Sequence, residues 1–480
     1  MISMKCSGRA VLDTAGKGAY YIGLTDSFVG ESPVAKIGFV SLGCPKNQVD
    51  SEVMIGLLEK ENHEITPDAA QAEVMVVNTC SFINDAKKES IQAILEAAHL
   101  KEAGKCRRLI ITGCLPERYA PEMRAEFPEA DVFLGTNQIT EIVRAVGGMN
   151  VPLPDSYGRS DAKLFLYDHK MPRSLIGPKY SAYMKIAEGC NHACAFCVIP
   201  KIRGRFRSRS LPSLVNEARR LAAEGVKEIT LVAQDTTGYG ADLGMKDGLA
   251  GLLEALDTVK SIEWIRFLYA YPDAVSDRLI RVINESEKIC RYIDMPLQHA
   301  SAAVLKSMRR GGSRTQLARM IERIRRNIPG VVLRTTFIVG FPGETGNNFR
   351  ELRDFCREME FDRMGVFAYS DEEDTPAFEL RPKISARTAK ARQRILMEQQ
   401  AKIAARKNRE LVGKEFRILV EGPSTESDLL LQGRLESQAP EIDGVCLIND
   451  SKVEGIGIGD FRTIKITKAI GHDLLGTIVN

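Results

Sequence analysis

The 480-residue sequence lacks any uninterrupted apolar run of about 18 residues, the length that a membrane-spanning helix needs. We therefore expect no transmembrane helix and no membrane partner. Residues 1–34 also lack the apolar stretch that follows the basic residues of a secretory signal. We expect this segment to be a disordered extension, or an over-long start, and not a targeting signal. The expected location is the cytoplasm, where cysteines favour metal or redox chemistry over disulfides.

The sequence also lacks a strong excess of either charge, since its net charge is only +3. A balance so close to zero does not by itself indicate nucleic acid or a membrane surface as a partner. Hydrophobic residues make up 44% and charged residues 27%, which is typical of a globular protein. The length exceeds one ordinary core. We expect an extension over residues 1–34, a first domain over 35–147, a linker over 148–175, a second domain over 176–405 and a third over 408–480.

A fourth cysteine is missing near the CxxxCxxC segment formed by Cys190, Cys194 and Cys197, and the next one downstream is Cys290. Cubane clusters that only transfer electrons are usually held by four thiolates. Three thiolates hold three irons, which leaves one iron open to another molecule. Two other interpretations remain: a zinc loop to which His192 contributes a ligand, and thiols buried for packing.

Three further cysteines, Cys44, Cys80 and Cys114, each end a continuous apolar run, at residues 36–44, 72–80 and 108–114. Such runs are typical of parallel strands covered on both faces. Helical patterns at residues 51–62 and 85–103 separate them, which predicts right-handed crossovers and a doubly wound parallel sheet. The three cysteines should then meet at one sheet edge and hold a second cluster with an open iron. The alternative is that they are small buried hydrophobes.

The middle of the chain alternates strand and helix patterns six times, which predicts a partial (β/α)6 barrel with its chemistry at the C-terminal strand ends. The predicted strands are residues 183–187, 228–234, 264–271, 291–297, 331–341 and 363–369. His299 is the one histidine at a predicted strand end, and we expect it to be structural. The basic stretch 201–209 is interpreted either as a solvated edge or as a site for phosphates or carboxylates.

The C-terminal part is expected to be a basic helix over residues 381–410 followed by a small antiparallel OB-like β-barrel. Residues 411–480 contain seven Lys or Arg and eleven Asp or Glu. This acidic excess favours a basic protein partner over tRNA, unless it serves only to keep a small domain in solution.

The Cys190–Cys197 loop, with Phe196 before its last cysteine, resembles the signature of the radical-SAM superfamily, whose members cleave S-adenosylmethionine (SAM). A three-cysteine domain in front of it resembles the methylthiotransferases. The segment 41–47 (SLGCPKN) is similar to the branch that modifies a ribosomal protein, and the C-terminal barrel resembles a TRAM domain. The resemblance implies two 4Fe–4S clusters on the six cysteines and two SAM molecules per turnover. It also implies SAM contacts from Phe196, Gln234, Gly340 and Glu344.

The implied activity is addition of a methylthio group to the β-carbon of an aspartate in small-subunit ribosomal protein twelve. That carbon is unactivated, so a radical must abstract its hydrogen, and the cofactor supplies this chemistry. The implied partners are the ribosomal protein and an electron donor such as flavodoxin or ferredoxin. The alternatives are a tRNA adenosine methylthiotransferase and, in another class, an iron–sulfur protein that only transfers electrons.

Overall fold

A computed structural model of the protein describes residues 34–159, 164–424, 427 and 429–480. The predicted extension over residues 1–34 lies outside the described residues except for Val34. Residues Val34–Asn480 pack as one unit, so the predicted domain boundaries stay a prediction. No helix in the described part of the chain is long and apolar enough to span a membrane.

The N-terminal domain is a five-stranded parallel sheet in the order β2-β1-β3-β4-β5, which is a doubly wound order. Strands β1, β3 and β4 are the three predicted ones, whereas β2 and β5 are three-residue edge strands that the sequence pattern did not indicate. The strands are β1 Lys36–Ser41, β2 Glu64–Thr66, β3 Val74–Thr79, β4 Arg108–Gly113 and β5 Val132–Leu134. The helices are α1 Pro45–Lys60, α2 Asn84–Glu102, α3 Cys114–Glu126 and α4 Ile142–Val146.

Helix α1 begins earlier than the predicted helical pattern over residues 51–62, since Pro45 and Asn47 already lie in the helix. Proline suits the first helical position, since it needs no intrahelical N–H bond there and its φ is already helical. The Asn47 side chain donates to the carbonyls of Leu42 and Thr79 and so joins the ends of β1 and β3. The helix therefore starts directly after Cys44.

The central domain contains the six predicted parallel strands, arranged as two three-stranded sheets, β6-β9-β10 and β11-β12-β13. A parallel bridge between Ile265 and Ile289 connects the two sheets into one partial barrel. The strands are β6 Ser181–Lys185, β7 Ala187–Glu188, β8 Arg207–Ser208, β9 Glu228–Val232, β10 Trp264–Phe267, β11 Tyr292–Asp294, β12 Val332–Val339 and β13 Arg363–Ala368. The helices are α5 Ile199–Arg203, α6 Leu211–Ala223, α7 Gly248–Asp257, α8 Asp277–Glu285, α9 Ala302–Ser307, α10 Arg314–Asn327, α11 Gly346–Met359 and α12 Ala386–Arg409.

Helix α12 is the predicted basic helix, and it packs against the outer barrel strand β13. Its apolar residues Leu396, Ile403 and Ala404 are buried. Ile395, next to Leu396 in sequence, is 39% exposed. The buried face is therefore a narrow stripe.

The C-terminal domain is a closed five-stranded barrel in the order β14-β15-β16-β18-β17. Four of its neighbouring pairs are antiparallel, and the pair β16–β18 is parallel, which corrects the expectation of a purely antiparallel barrel. Strand β18 had not been predicted. The strands are β14 Glu415–Pro423, β15 Leu431–Leu435, β16 Cys446–Ser451, β17 Phe461–Ile470 and β18 Asp473–Ile478.

A loop of the C-terminal domain covers the inner face of the partial barrel. Arg266 donates to the Glu436 carbonyl at 2.8 Å, and the Tyr292 hydroxyl donates to Asp443 at 2.7 Å. Asp443 also lies 4.0 Å from Arg334 and 3.8 Å from Arg363. Part of the acidic excess of this domain is thus paired with barrel arginines and is not available to an outside partner.

Candidate active site: two cysteine triads in one cavity

A single cavity of about 540 Å³ lies between the sheet edge of the N-terminal domain and the C-terminal strand ends of the partial barrel. All six predicted cysteines line it: Cys44, Cys80 and Cys114, which we call the first triad, and Cys190, Cys194 and Cys197, which we call the second triad. The sequence predicted each triad separately. The structure adds that the two triads share one space.

The first triad is positioned by the sheet, because each of its cysteines follows a parallel strand. Cys44 caps the N-terminus of α1, Cys80 follows β3, and Cys114 is the first residue of α3. The glycine before Cys44 has φ +93°, and a Cβ on it would lie 2.8 Å from the Cys80 Cβ. The glycine before Cys114 has φ +100°, and a Cβ there would lie 2.6 Å from the Thr79 carbonyl oxygen. Only glycine permits both this backbone and this close approach.

The second triad sits on the loop between β7 and α5. Backbone hydrogen bonds fix this loop, from Cys190 N to the Gly204 carbonyl at 3.1 Å and from Ala195 N to the Met308 carbonyl at 2.9 Å. Gly189 has φ +81°, and a Cβ there would lie 2.2 Å from the Arg205 carbonyl oxygen. The loop is therefore held on both sides by the barrel.

Burial makes these thiols poor acids in the absence of a metal. It raises the pKa of Cys114 to about 12, of Cys197 to about 12 and of Cys190 to about 11. It also raises the pKa of Cys80. A coordinated metal deprotonates a thiol outright, because its own charge replaces the missing solvation. Burial therefore keeps these thiols protonated until a metal binds.

The donors number three at each triad. The remaining described cysteines, Cys106, Cys290, Cys356 and Cys446, are buried and do not line the cavity; Cys6 lies outside the described residues. Over the described part of the chain, no three His, Cys, Asp or Glu side chains converge closely enough for a single metal ion. The residues present thus fit iron–sulfur clusters that each keep one iron without a cysteine.

Phe196 and Gln234, which the sequence analysis assigned to SAM, both line the cavity. Gln234 donates to Glu188 at 2.7 Å, while its amide oxygen has no hydrogen-bond partner among the described residues. The amide oxygen of Gln298, another residue of the wall, is likewise without one there. Buried amide oxygens without partners are costly, so both positions suit a ligand that donates hydrogen bonds.

Gly340 and Glu344, the other two residues assigned to SAM, are not part of the cavity wall. Glu344 is buried, and its carboxylate accepts from the backbone N–H groups of Gly340 and Phe341. Its other oxygen lies 3.0 Å from Arg392. Gly340 has φ +75°, and a Cβ there would lie 2.4 Å from the Ala389 Cβ on α12. The two residues shape the turn after β12, and SAM contact by them stays a prediction.

His192 and His299 have structural partners. His192 lies 2.7 Å from Asp235 through Nε2 and stacks on Tyr271, with ring centroids 3.8 Å apart. The Nδ1 atom of His299, a fully buried residue, accepts from Ser301 N at 2.9 Å. His192 is therefore engaged by an acid and an aromatic ring. A carboxylate partner is also typical of metal-ligating histidines, so this contact does not distinguish the zinc loop from the cluster.

The basic stretch 201–209 agrees only in part with the interpretation of a solvated edge, because two of its arginines pair with carboxylates inside the protein. Arg203 and Arg209 are buried and form ion pairs, Arg203 with Asp50 at 2.7 Å and Arg209 with Glu217 at 2.5 Å. Lys201 and Arg205 are exposed. Two of the basic residues in this stretch are thus paired with carboxylates inside the protein, and two are exposed to solvent.

Four wall residues escaped the sequence analysis: Lys46, Arg203, Tyr269 and Arg310. Arg310 lies 3.6 Å from the Cys194 sulfur and over the Tyr271 ring. Arg203 lies 3.5 Å from the Cys114 sulfur. The earlier signals were general: Lys46 lies in the segment 41–47 beside Cys44, and Arg203 lies in the basic stretch 201–209 after Cys197. Which way their side chains point depends on the packing of two domains, and no local pattern encodes that.

Three family models match consecutive parts of the chain: the uncharacterized protein family UPF0004 at residues 36–135, the radical SAM superfamily at 184–356 and the TRAM domain at 412–479. The ribosomal protein uS12 methylthiotransferase RimO of Solibacter usitatus (strain Ellin6076) is 52% identical over 92% of this chain and 95% of the relative. The chain belongs to the RimO family. The RimO of Geotalea uraniireducens (strain Rf4) is 48% identical, over 92% of this chain and 98% of that relative.

Family membership confirms the resemblance to radical-SAM methylthiotransferases, and the TRAM match confirms the assignment of the C-terminal barrel. Among solved structures, the radical S-adenosylmethionine methyltransferase TsrM from Kitasatospora setae, with cobalamin and a [4Fe-4S] cluster bound, has a TM-score of 0.52. It is 14% identical, and the match covers 72% of this chain and 77% of TsrM. At this identity the likeness concerns the fold alone.

Proposed function

We propose that this RimO-family chain is a radical-SAM methylthiotransferase that adds a methylthio group to the β-carbon of an aspartate in ribosomal protein uS12. The observation that carries the proposal is the single cavity lined by both cysteine triads. Radical generation and sulfur delivery must act on the same carbon, so the two triads have to face one space. Separate sites would require the substrate to move between the two steps.

The first triad would hold one 4Fe–4S cluster and the second triad another. When bound, the cluster on the second triad supplies the electron that cleaves SAM, and the cluster on the first carries the sulfur to be transferred. The arrangement of three thiolates and no fourth at each triad supports an open iron in both places.

The chain's own residues bind SAM. Phe196 and the unpartnered amide oxygen of Gln234 lie in the cavity wall beside the second triad. We assign the adenine to Phe196 and a hydrogen-bond donor of SAM to Gln234. Contact of SAM with Gly340 and Glu344, which shape the turn after β12, remains part of the proposal. Two SAM molecules are used per turnover, one for the radical and one for the methyl group.

The partners of the reaction are uS12 and a one-electron donor such as flavodoxin or ferredoxin, and the location is the cytoplasm. A tRNA substrate is the alternative with the same chemistry. The names of the relatives favour uS12 over tRNA, since RimO relatives are named for uS12.

The test is to supply reconstituted enzyme, SAM and reductant with uS12 in one reaction and with tRNA in another, under anaerobic conditions. The proposal predicts that the mass of uS12 increases by one methylthio group and that the tRNA nucleosides remain unchanged. Cleavage of SAM to 5′-deoxyadenosine without any modification of uS12 would contradict it. A modified tRNA would support the alternative.

A further inference from the structure

Lys46 is a buried cation in the cavity wall, and the proposed mechanism does not yet include it. It is the second residue of α1, two positions after Cys44, and it is 9% exposed. Its ammonium nitrogen lies 3.6 Å from the centroid of the Tyr269 ring, which belongs to the barrel wall on the other side of the cavity. An ammonium on an aromatic face is favourable, but the ring does not neutralise its charge.

No carboxylate neutralises Lys46 either. Within residues 34–159, 164–424, 427 and 429–480, no Asp or Glu oxygen lies within 4.0 Å of the Lys46 ammonium, and it donates no hydrogen bond there. The other buried lysine among the described residues, Lys185, is paired with Asp50 and Glu188. Cys44 and Glu188 favour the charged form of Lys46 through space and donate or accept no hydrogen bond with it. A buried charge that lacks a hydrogen-bonded anion is destabilising, so the ammonium is suited to bind an anion that enters the cavity.

The acids around the cavity are engaged elsewhere. Glu188 accepts from Lys185 at 2.6 Å and from Gln234 at 2.7 Å. Asp235 lies 2.7 Å from His192. Glu89, also in the wall, is exposed to solvent. Lys46, a buried cation of this wall, is thus available to an anion that enters the cavity.

The aromatic ring that contacts Lys46 belongs to a residue with a strained backbone. Tyr269 has φ +64°, a left-handed backbone that a tyrosine rarely adopts. Two hydrogen bonds hold it there: its N–H donates to Asp294 at 2.9 Å, and its carbonyl accepts from Thr236 N at 3.1 Å. Strained backbone that the surroundings enforce is concentrated at functional sites. The tyrosine ring therefore fixes where the ammonium lies.

We propose that Lys46 binds the carboxylate of the substrate aspartate and thereby selects an acidic side chain; this inference rests on the proposed function. The β-carbon of aspartate is bonded directly to that carboxylate. An ammonium beside Cys44 that binds the carboxylate places the β-carbon on the side of the first triad. Arg310, by contrast, lies against Cys194 of the second triad, where SAM is expected.

The test measures binding of holoenzyme to uS12 and to uS12 in which the modified aspartate is replaced by asparagine, anaerobically and without reductant. Wild-type enzyme should bind the aspartate form more tightly by roughly 10- to 100-fold, as expected for a charged hydrogen bond. Lys46→Gln should bind both forms with equal affinity. Lys46→Arg, which keeps the charge, should retain most of the preference for aspartate.

Lys60→Gln is the matched control, because Lys60 lies on the same helix, is exposed and loses the same charge. It should keep the wild-type preference. Turnover gives a second measurement: Lys46→Gln should raise the KM for uS12, while iron content and SAM cleavage to 5′-deoxyadenosine stay at wild-type values.

Three results would overturn the inference. Lys46→Gln could bind both forms as the wild-type enzyme does. It could also weaken the binding of both forms by the same factor, which would leave the preference for aspartate unchanged. It could also change the cluster spectra and leave the preference intact, which would make Lys46 a partner of the first triad. Wild-type enzyme that cleaves SAM but neither binds nor modifies uS12 would instead refute the proposed function, and the inference with it.

Discussion

Arg203 Nη2 lies 3.5 Å from the sulfur of Cys114. Arg203 belongs to α5, which directly follows the second triad, whereas Cys114 is the last member of the first. The same guanidinium donates to Asp50 of α1 at 2.7 Å and to Glu188 of β7 at 3.2 Å. One side chain of the partial barrel thus contacts both the first triad and helix α1 of the N-terminal domain.

The charged groups around Arg203 stabilise one another in their ionised forms. Burial alone would raise the pKa of Glu188, but Lys185 and Arg203 keep it below its ordinary value. Burial likewise opposes the charge of Arg203, and Cys114, Glu188 and Asp50 nevertheless raise its pKa above the ordinary value. The network therefore remains charged throughout the neutral pH range.

We predict that Arg203→Met lowers the free energy of unfolding by about 3–5 kcal/mol, because it removes one partner from a buried ion cluster. The first triad should lose iron more readily than the second, since Cys114 loses its neighbouring cation. Chemical denaturation and iron analysis of the reconstituted protein measure both effects. Arg205→Met, which removes an exposed arginine two residues away, should have little effect. Equal stabilities of the two variants would refute this role.

Gly340 and Gly343 form a matched pair for the turn after β12. Both have positive φ, +75° and +80°, but only Gly340 faces a close neighbour, the Ala389 Cβ. Gly343→Ala should cost about 1–2 kcal/mol through backbone strain alone. Gly340→Ala should cost about 1–3 kcal/mol more through the clash with α12. Thermal unfolding distinguishes the two. If Gly340→Ala instead weakened SAM binding at unchanged stability, direct contact with SAM would be the better explanation.

Glu228 and Arg434 join the partial barrel to the C-terminal domain through a buried ion pair of 2.5 Å. Burial would raise the pKa of Glu228, but Arg434 and Arg266 lower it from 4.5 to about 2. Because the folded pKa is depressed, the stabilisation is complete above about pH 4.5 and is lost as the pH falls toward 2. Its size is on the order of 3 kcal/mol.

Urea unfolding of wild-type protein and Glu228→Gln at a series of pH values measures this contribution. The difference between them should be constant from pH 8 to pH 5 and should shrink below pH 4.5. Glu263→Gln is the control, since its pair with Arg417 is about half exposed and is worth less than about 1 kcal/mol. A difference that persists unchanged at pH 3 would contradict the prediction.

The sequence was sufficient to identify the six cysteines of the cavity, since cysteine spacing and strand ends are local patterns. It was also sufficient for the six barrel strands and for the helix over 386–409. It missed β2 and β5, because three residues are too few to display a period. It missed β18, where Gly476 replaces a side chain on the buried face and weakens the alternation.

The roles of Lys46 and Tyr269 could not be derived locally. From the sequence, Lys46 was only a member of the segment 41–47, and its burial arises when α1 packs against the barrel. The left-handed backbone of Tyr269 is enforced by Asp294 of β11, 25 residues away in sequence. Long-range contacts of this kind leave no periodic signal in the chain.

The central claim is that the first triad delivers sulfur while the second generates the radical. Cys80→Ala tests it most directly, with Cys106→Ala as the control because Cys106 is a buried thiol outside the cavity. The measurement is the mass of uS12 after anaerobic incubation with each reconstituted variant, SAM and reductant, alongside the yield of 5′-deoxyadenosine. The account predicts that Cys80→Ala still cleaves SAM and leaves uS12 unmodified, whereas Cys106→Ala modifies it. Methylthiolated uS12 produced by Cys80→Ala would contradict the account.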